Sequence, residues 1–233
     1  MPMYKTEIWS GDVYEAEIYF SPRTAGKSIR RGANRETSCL KQQENNLRQA
    51  RKKLARLINC NFGRQDIFVT LTYASEPKEE ARRCLVNFFR RERNRRRRAG
   101  EPELKYIAVT ESSATRTHHH IIMNAAAIEE LTRLWSHGRV ILSALDNDAD
   151  YTGLAHYITK ESGQGKRWSQ SRNLQKPKMR RKEIKSRTHR LRPPKGYLLR
   201  VDDFYYSDTI GGMSYIKAVK IGGLDLCLAA RRC

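Results

Sequence analysis

Leu104-Lys-Tyr-Ile-Ala-Val-Thr110 is followed, after a polar loop, by His118-His-His-Ile-Ile-Met-Asn124. Each is a short apolar run bounded by turn-forming residues, so the two read as consecutive strands. Upstream, Ile67-Phe-Val-Thr-Leu-Thr-Tyr73 is rich in β-branched and aromatic residues and reads as a buried strand. Between it and Leu104, Ser75-Glu-Pro77 gives a helix start, with proline near the first turn. This helix carries Leu85, Val86, Phe88 and Phe89, runs into Arg90 to Arg98, and is ended by Gly100 and Pro102. Downstream, Ala127 to Trp135 reads as a helix with Ile128, Leu131 and Leu134 on one face, and Val140-Ile-Leu-Ser-Ala144 as a fourth strand. Asp146-Asn-Asp148 offers cap residues for a last helix reaching Lys160. The order β-α-β-β-α-β-α predicts an α+β fold, a ferredoxin-like (split βαβ) antiparallel sheet with an added helix that bears Tyr157.

Around this core, at about residues 61–162, the composition changes on both sides. In residues 1–60, Val13-Tyr-Glu-Ala-Glu-Ile-Tyr-Phe20 alternates like a strand, and a basic amphipathic helix runs from about Leu40 to Asn59. Residues 163–196 read as a basic arm or large loop, since Gln164 to Gly196 holds thirteen Lys or Arg against the single acid Glu183. In residues 197–233, Leu198 to Tyr206 and Met213 to Ile221 read as two strands of a hairpin around Gly211-Gly212.

The formal net charge is +21, from 46 Lys and Arg against 25 Asp and Glu, which predicts affinity for a polyanion, nucleic acid first. A generally basic surface, as a structural protein has, is the bland alternative. The five cysteines are odd in number, widely spaced and contain no Cys-x-x-Cys, which disfavours a disulfide framework or a zinc ribbon. No apolar leader and no run of 18 apolar residues occurs, so the expected location is a reducing cytosol.

Three features carry chemistry. On a strand, residues two apart share a face, so His118 and His120 point together and His119 points away. Glu111 ends the preceding strand, and antiparallel pairing sets the end of one strand beside the start of the next. Two imidazoles and one carboxylate can thus bind one divalent metal and leave positions open for a substrate oxygen. Tyr157-Ile-Thr-Lys160 lies on the last helix, where positions i and i+3 share a face and can meet one phosphate together. A phenol titrates at about 10 and is a weak nucleophile at neutral pH. It needs a cation, here Lys160, and a metal to polarise the phosphate. The competing readings are an ordinary strand with exposed histidines, a solvated strand-end carboxylate, and a packing tyrosine. Tyr151, on the same segment, is given no role.

In order, the strand ending Thr70-Leu-Thr-Tyr73, Glu111…His118-His-His120 and Tyr157-x-x-Lys160 resemble the rolling-circle replication initiators of the His-hydrophobic-His (HUH) endonuclease superfamily, single-tyrosine type. The nearest look-alikes are initiators of small single-stranded DNA phages and of plasmid-like bacterial elements, and the resemblance covers about Asn59 to Lys178. It implies that Glu111, His118 and His120 hold Mg²⁺ or Mn²⁺, that Tyr157 is the nucleophile with Lys160 as partner, and that the Phe68 to Tyr73 strand is structural. It further implies nicking and rejoining of origin or single-stranded DNA through a 5′-phosphotyrosyl link, within a bacterial host cell. The sequence departs from the family at the middle position, His119, which is usually apolar or aromatic. It also lacks any Gly-x-x-x-x-Gly-Lys-Ser/Thr loop, so unwinding and synthesis require a host helicase and polymerase.

For DNA contact the expected residues are Arg90, Arg91, Arg95, Arg96 and Arg97 on the arginine-rich helix, and Lys166, Arg167, Trp168 and Arg172 on the basic arm, with Trp168 and Tyr197 as stacking platforms. Two rivals stand beside this reading. A relaxase or single-tyrosine transposase shares the chemistry. A non-catalytic nucleic-acid-binding module on the same sheet stacks bases on central-strand aromatics, where this sequence has histidines.

Overall fold

The computed structural model describes residues 2–21, 39–75, 80–112, 117–146, 149–160, 167–185, 190–207 and 211–223. In chain order the elements are β1 (Met3–Ser10), β2 (Val13–Phe20), α1 (Leu40–Asn61), β3 (Ile67–Thr72), α2 (Ala81–Ala99), β4 (Tyr106–Ser112) and β5 (Thr117–Met123). Then come α3 (Ile128–Leu134), β6 (Val140–Ala144), α4 (Thr152–Ile158), β7 (Ser169–Gln170), β8 (Lys178–Ile184), β9 (Tyr197–Ser207) and β10 (Gly211–Lys220). The chain is α+β, with two five-stranded antiparallel sheets. It divides into two compact units: one from residues 1–59, 148–150 and 176–233, the other from residues 60–147 and 151–175. Among the described residues no helix is long and apolar enough to cross a membrane, and none of Cys39, Cys60 and Cys84 is in a disulfide.

The second unit carries the sheet β6-β3-β5-β4-β7. Its first four strands stand in the spatial order fourth, first, third, second, the split βαβ arrangement. Ile67, Val69 and Leu71 of β3 point to one face, where they meet Leu85, Phe88 and Phe89 of α2, Leu131 of α3, and Trp135. Burying each such side chain contributes roughly 1.5–3 kcal/mol. On α2 the buried positions Ala81, Cys84, Leu85, Phe88, Phe89, Glu92 and Arg96 recur at helical spacing. The helix closes at Gly100, whose φ of 66° is the left-handed cap conformation that glycine adopts without strain. The Ser75 to Pro77 helix start falls mostly on residues outside those described.

At the end of β3, a second close approach also requires glycine. A Cβ on Gly138 would stand 2.2 Å from the Thr72 carbonyl oxygen. That oxygen accepts the Trp135 indole N–H at 3.0 Å, and the Thr72 N–H donates to the Arg139 carbonyl at 3.0 Å.

The first unit is built on the sheet β8-β1-β2-β10-β9. Met3, Tyr14, Ala16, Ile18, Leu191, Ile216 and Ala218 form its core on one face. On the other, Glu15 accepts hydrogen bonds from Arg56 of α1 and from the Tyr215 hydroxyl, and the Lys52 ammonium lies 4.4 Å over the Tyr215 ring. Two expectations are corrected here. Met3–Ser10 is a strand, and the basic arm at residues 163–196 is not one loop. Residues 178–184 form β8, an edge strand paired to β1 from Met3↔Ile184 to Trp9↔Lys178.

Candidate metal and nucleophile site

The sheet of the second unit has two faces, and pairing register decides what each displays. β5 lies between β3 and β4, with Thr72↔His118, Thr70↔His120, Glu111↔His118 and Val109↔His120 as cross-strand neighbours. Paired residues share a face. The face away from α2 therefore carries Phe68, Thr70, Glu111, His118 and His120 together.

The Nε2 atoms of His118 and His120 stand 2.9 and 3.4 Å from Glu111 Oε2. The three donor groups lie within 4.8 Å of one another, a group that can hold a metal ion. Ligands about 2.1 Å from one ion and at right angles to each other are themselves about 3 Å apart, so this spacing fits a shared ion. A carboxylate oxygen with two imidazoles is a donor set that can hold a divalent ion.

The outer contacts of His120 fix its orientation. Thr70 Oγ1 lies 3.1 Å from its Nδ1, which leaves Nε2 toward Glu111. The Phe68 ring stacks on the His120 ring at 5.4 Å, inclined by 19°. Burial is the first cause holding the His120 pKa below its ordinary value, opposed by the Glu111 carboxylate.

His119 belongs to the opposite face. It is fully buried, its Nε2 is 2.7 Å from the Tyr73 hydroxyl and its Nδ1 is 2.8 Å from Thr110 Oγ1. Because the Tyr73 hydroxyl donates to the Ala81 carbonyl at 3.0 Å, its oxygen accepts from His119 Nε2–H, and Thr110 donates to Nδ1. Burial first, and the neighbouring His118 next, push the His119 pKa down to about 4. A neutral histidine with both nitrogens engaged thus fills this buried position.

α4 stands over the face that carries Glu111, His118 and His120. The Tyr157 ring lies 5.5 Å from the His120 ring and 6.2 Å from Phe68, yet the residue is 58% exposed. Tyr151 is only 6% exposed and donates its hydroxyl to the Asp146 carbonyl at 2.9 Å, a packing role. Of the two tyrosines, only Tyr157 combines exposure with proximity to the histidines.

Lys160 requires a correction. The helix does not reach it: α4 ends at Ile158, Thr159 Oγ1 donates to the Ala155 carbonyl at 2.7 Å, and the Lys160 N–H donates to the Tyr157 carbonyl in a turn. The threonine hydroxyl and three-residue hydrogen bonds tighten the last turn. Lys160 is thus an exposed cation just past the helix end, in a three-residue turn that sets positions i and i+3 on one side.

The expected DNA-contacting residues divide. Arg96 is buried, with its guanidinium on Glu92 Oε1 at 2.7 Å and on the carbonyls of Asn124 and Ala125 at 3.0 and 2.7 Å. Arg95 makes forked contacts with Glu92 and Glu101, and these hydrogen bonds raise its pKa. Both are internal ties of α2, which removes Arg96 from any surface. Arg90, Arg91 and Arg97 are exposed, Arg91 bonding the Leu134 carbonyl and Arg97 the Asn94 side chain. Arg172 is exposed, Arg167 is half-buried with Nε unpartnered among the described residues, and Trp168 donates to Gln170 Oε1 at 2.8 Å. Tyr197 packs edge-on to Tyr14 in the other unit, and Lys166 lies outside the described residues.

Sequence reading missed Thr70 and Phe68 as partners of His120. The only signal was their alternation with Ile67, Val69 and Leu71, which shows a shared face without saying which strand lies beside it.

Residues 66–162, which run from the start of β3 past the end of α4, match the model of the replication-associated protein ORF2/G2P family. No curated protein and no solved structure matches the chain.

Proposed function

We propose that this chain is a metal-dependent endonuclease that nicks and rejoins single-stranded DNA through Tyr157, and so initiates rolling-circle replication. One observation carries the reading: an exposed tyrosine 5.5 Å from the inner histidine of a Glu-His-His cluster, both inside the stretch similar to a replication-associated family. The rings of Phe68, His120 and Tyr157 form one contiguous set, so the phenol is held beside the cluster rather than on a free helix face.

Glu111, His118 and His120 would hold the ion, which when bound neutralises phosphate charge and stabilises the departing oxygen. Tyr157 then has one task, in-line attack on phosphorus. Its oxygen bonds to phosphorus as the bond to the 3′ oxygen breaks, and the electron pair of that bond stays on the 3′ oxygen. The phenol gives up its proton and the 3′ oxygen gains one. The 5′ end remains on Tyr157, and the free 3′-OH primes synthesis or attacks in the reverse direction to rejoin the strand. Lys160, one turn past the nucleophile, adds positive charge for the approaching backbone. Arg90, Arg91, Arg97, Arg167 and Arg172, together with the basic strand β8, draw the strand in by neutralising phosphates.

The test is a denaturing gel with Mn²⁺ and labelled single-stranded oligonucleotides from the DNA flanking the gene. Wild type is expected to cut and to retain covalently, through its 5′ phosphate, the fragment on the 3′ side of the nick, with chelator abolishing both. Tyr157→Phe and His118→Ala/His120→Ala are expected to lose the adduct. Cleavage at full rate by Tyr157→Phe would overturn the nucleophile assignment.

A further inference from the structure

Two of the three tryptophans are packed against rings: Trp135 lies 5.1 Å from Tyr73 and 5.9 Å from Phe88, and Trp9 lies 5.4 Å from Tyr14. Trp168 has no ring contact among the described residues. It stands half-buried immediately before β7, the edge strand beyond β4. Stabilising the core of the unit does not account for it.

Register decides which way Trp168 faces. β7 pairs with β4 through Ile107↔Gln170 and Ala108↔Ser169. Gln170 shares a face with Ile107 and, at the two-residue period of β4, with Val109 and Glu111. Trp168 precedes Gln170 by two residues, and its indole N–H donates to Gln170 Oε1 at 2.8 Å, so both side chains lie on that face. Trp168, one residue before the last pair, Ala108↔Ser169, lies on the Val109 side of it. Glu111 is then about 7 Å along the strand and about 5 Å across. That is the distance from a phosphate to a neighbouring base rather than to a remote one.

The chemistry of the pair is specific. A half-buried indole still offers a π-surface on which any base can stack. The hydrogen bond to Trp168 occupies the Gln170 amide oxygen and leaves its N–H₂ as the group available to a ligand, a donor toward a base acceptor.

We propose that Trp168 and Gln170 form a base-binding subsite for single-stranded DNA, next to the Glu111-His118-His120 cluster. An unpaired base stacks on the indole and accepts a hydrogen bond from the Gln170 amide, which delivers the adjoining phosphate to the cluster. The identity of that phosphate as the scissile one rests on the nuclease reading. The binding of the base needs neither Tyr157 nor a metal ion.

The experiment is a fluorescence titration of the full chain with a short oligothymidylate in chelator, beside an abasic oligomer of equal length. Oligothymidylate is expected to quench wild-type emission, and Trp168→Phe to lose that quench while keeping most of the affinity, because a ring remains. Trp168→Ala is expected to weaken oligothymidylate binding about 5- to 100-fold and to bind the abasic oligomer as wild type does. Gln170→Ala is expected to narrow the difference between oligothymidylate and the abasic oligomer. A quench that persists in Trp168→Phe, or unchanged affinity in Trp168→Ala, overturns the subsite and leaves the nuclease reading intact. Quench and affinity loss as expected, with no cleavage by wild type at any origin oligonucleotide, overturn the nuclease reading and leave the subsite.

Discussion

At the scale of single residues, Thr70 shows how a hydroxyl with no direct part in binding an ion can set its affinity. Its Oγ1 holds His120 Nδ1 at 3.1 Å, so the ring cannot rotate without losing a hydrogen bond. Thr70→Val keeps the shape and removes the hydroxyl. Mn²⁺ affinity, measured by calorimetry or by electron paramagnetic resonance, is expected to fall about 10- to 100-fold with the fold unchanged. Unaltered Mn²⁺ binding would show that Phe68 and packing alone orient the ring. The grouping of Glu111, His118 and His120 was readable in the sequence, because the two-residue period of a strand and the return of a hairpin are local rules. Thr70 was not readable as a partner, since the pairing of β3 with β5 joins segments some fifty residues apart (|i−j| is 50).

At the scale of elements, α2 shows that a run of like charge need not be uniform. Glu92 is fully buried, and Arg96 satisfies it from one turn on while reaching two backbone carbonyls. Arg96→Ala leaves that carboxylate buried with part of its pairing gone and is expected to cost about 3–5 kcal/mol in denaturant unfolding. Arg90→Ala and Arg97→Ala are expected to stay within about 0.5 kcal/mol of wild type. If all three cost alike, the division of this helix into an internal and an external set is wrong. Nothing in the repeated arginines distinguishes Arg96. The lone acid Glu92 within the run is the one hint, and it needed the structure to become an argument. The loop before β6 carries a second element-scale prediction. Gly138→Ala forces a Cβ onto the Thr72 carbonyl and is expected to cost about 1–3 kcal/mol, read as a lower melting temperature.

At the scale of the whole molecule, the positive charge is distributed over both units. β8 presents Lys178, Arg180, Arg181 and Lys182 as exposed side chains, with the Arg181 guanidinium 3.9 Å over the Tyr4 ring. Replacing Lys178, Arg180 and Lys182 with glutamine is expected to reduce the salt slope of single-strand binding by about 2, at roughly 0.7 per phosphate released. An unchanged slope would mean that this edge serves only to keep other strands away. The strand escaped sequence reading for a physical reason: as an edge exposed on both faces it has no apolar alternation. β1 escaped because Thr6 and Ser10 occupy buried positions where the pattern calls for apolar ones. The split βαβ sheet was legible because each of its strands is apolar and short, and each connection carries its own stop signal.

The first unit is assembled from two stretches of chain, with residues 60–147 and 151–175 between them. β2 cannot find β10 until residue 219 exists, since Val13 pairs with Val219. During synthesis all strands of the sheet β6-β3-β5-β4-β7 exist while β1 and β2 still wait, seconds from their partners. Once residue 175 has emerged from the ribosome, the strands that carry Glu111, His118 and His120 have all their partners, while the β1-β2 hairpin still has open edges. Pausing in the basic stretch that follows would lengthen that interval. The order of emergence makes the unit that bears the Glu-His-His cluster the first part of the molecule able to complete its fold.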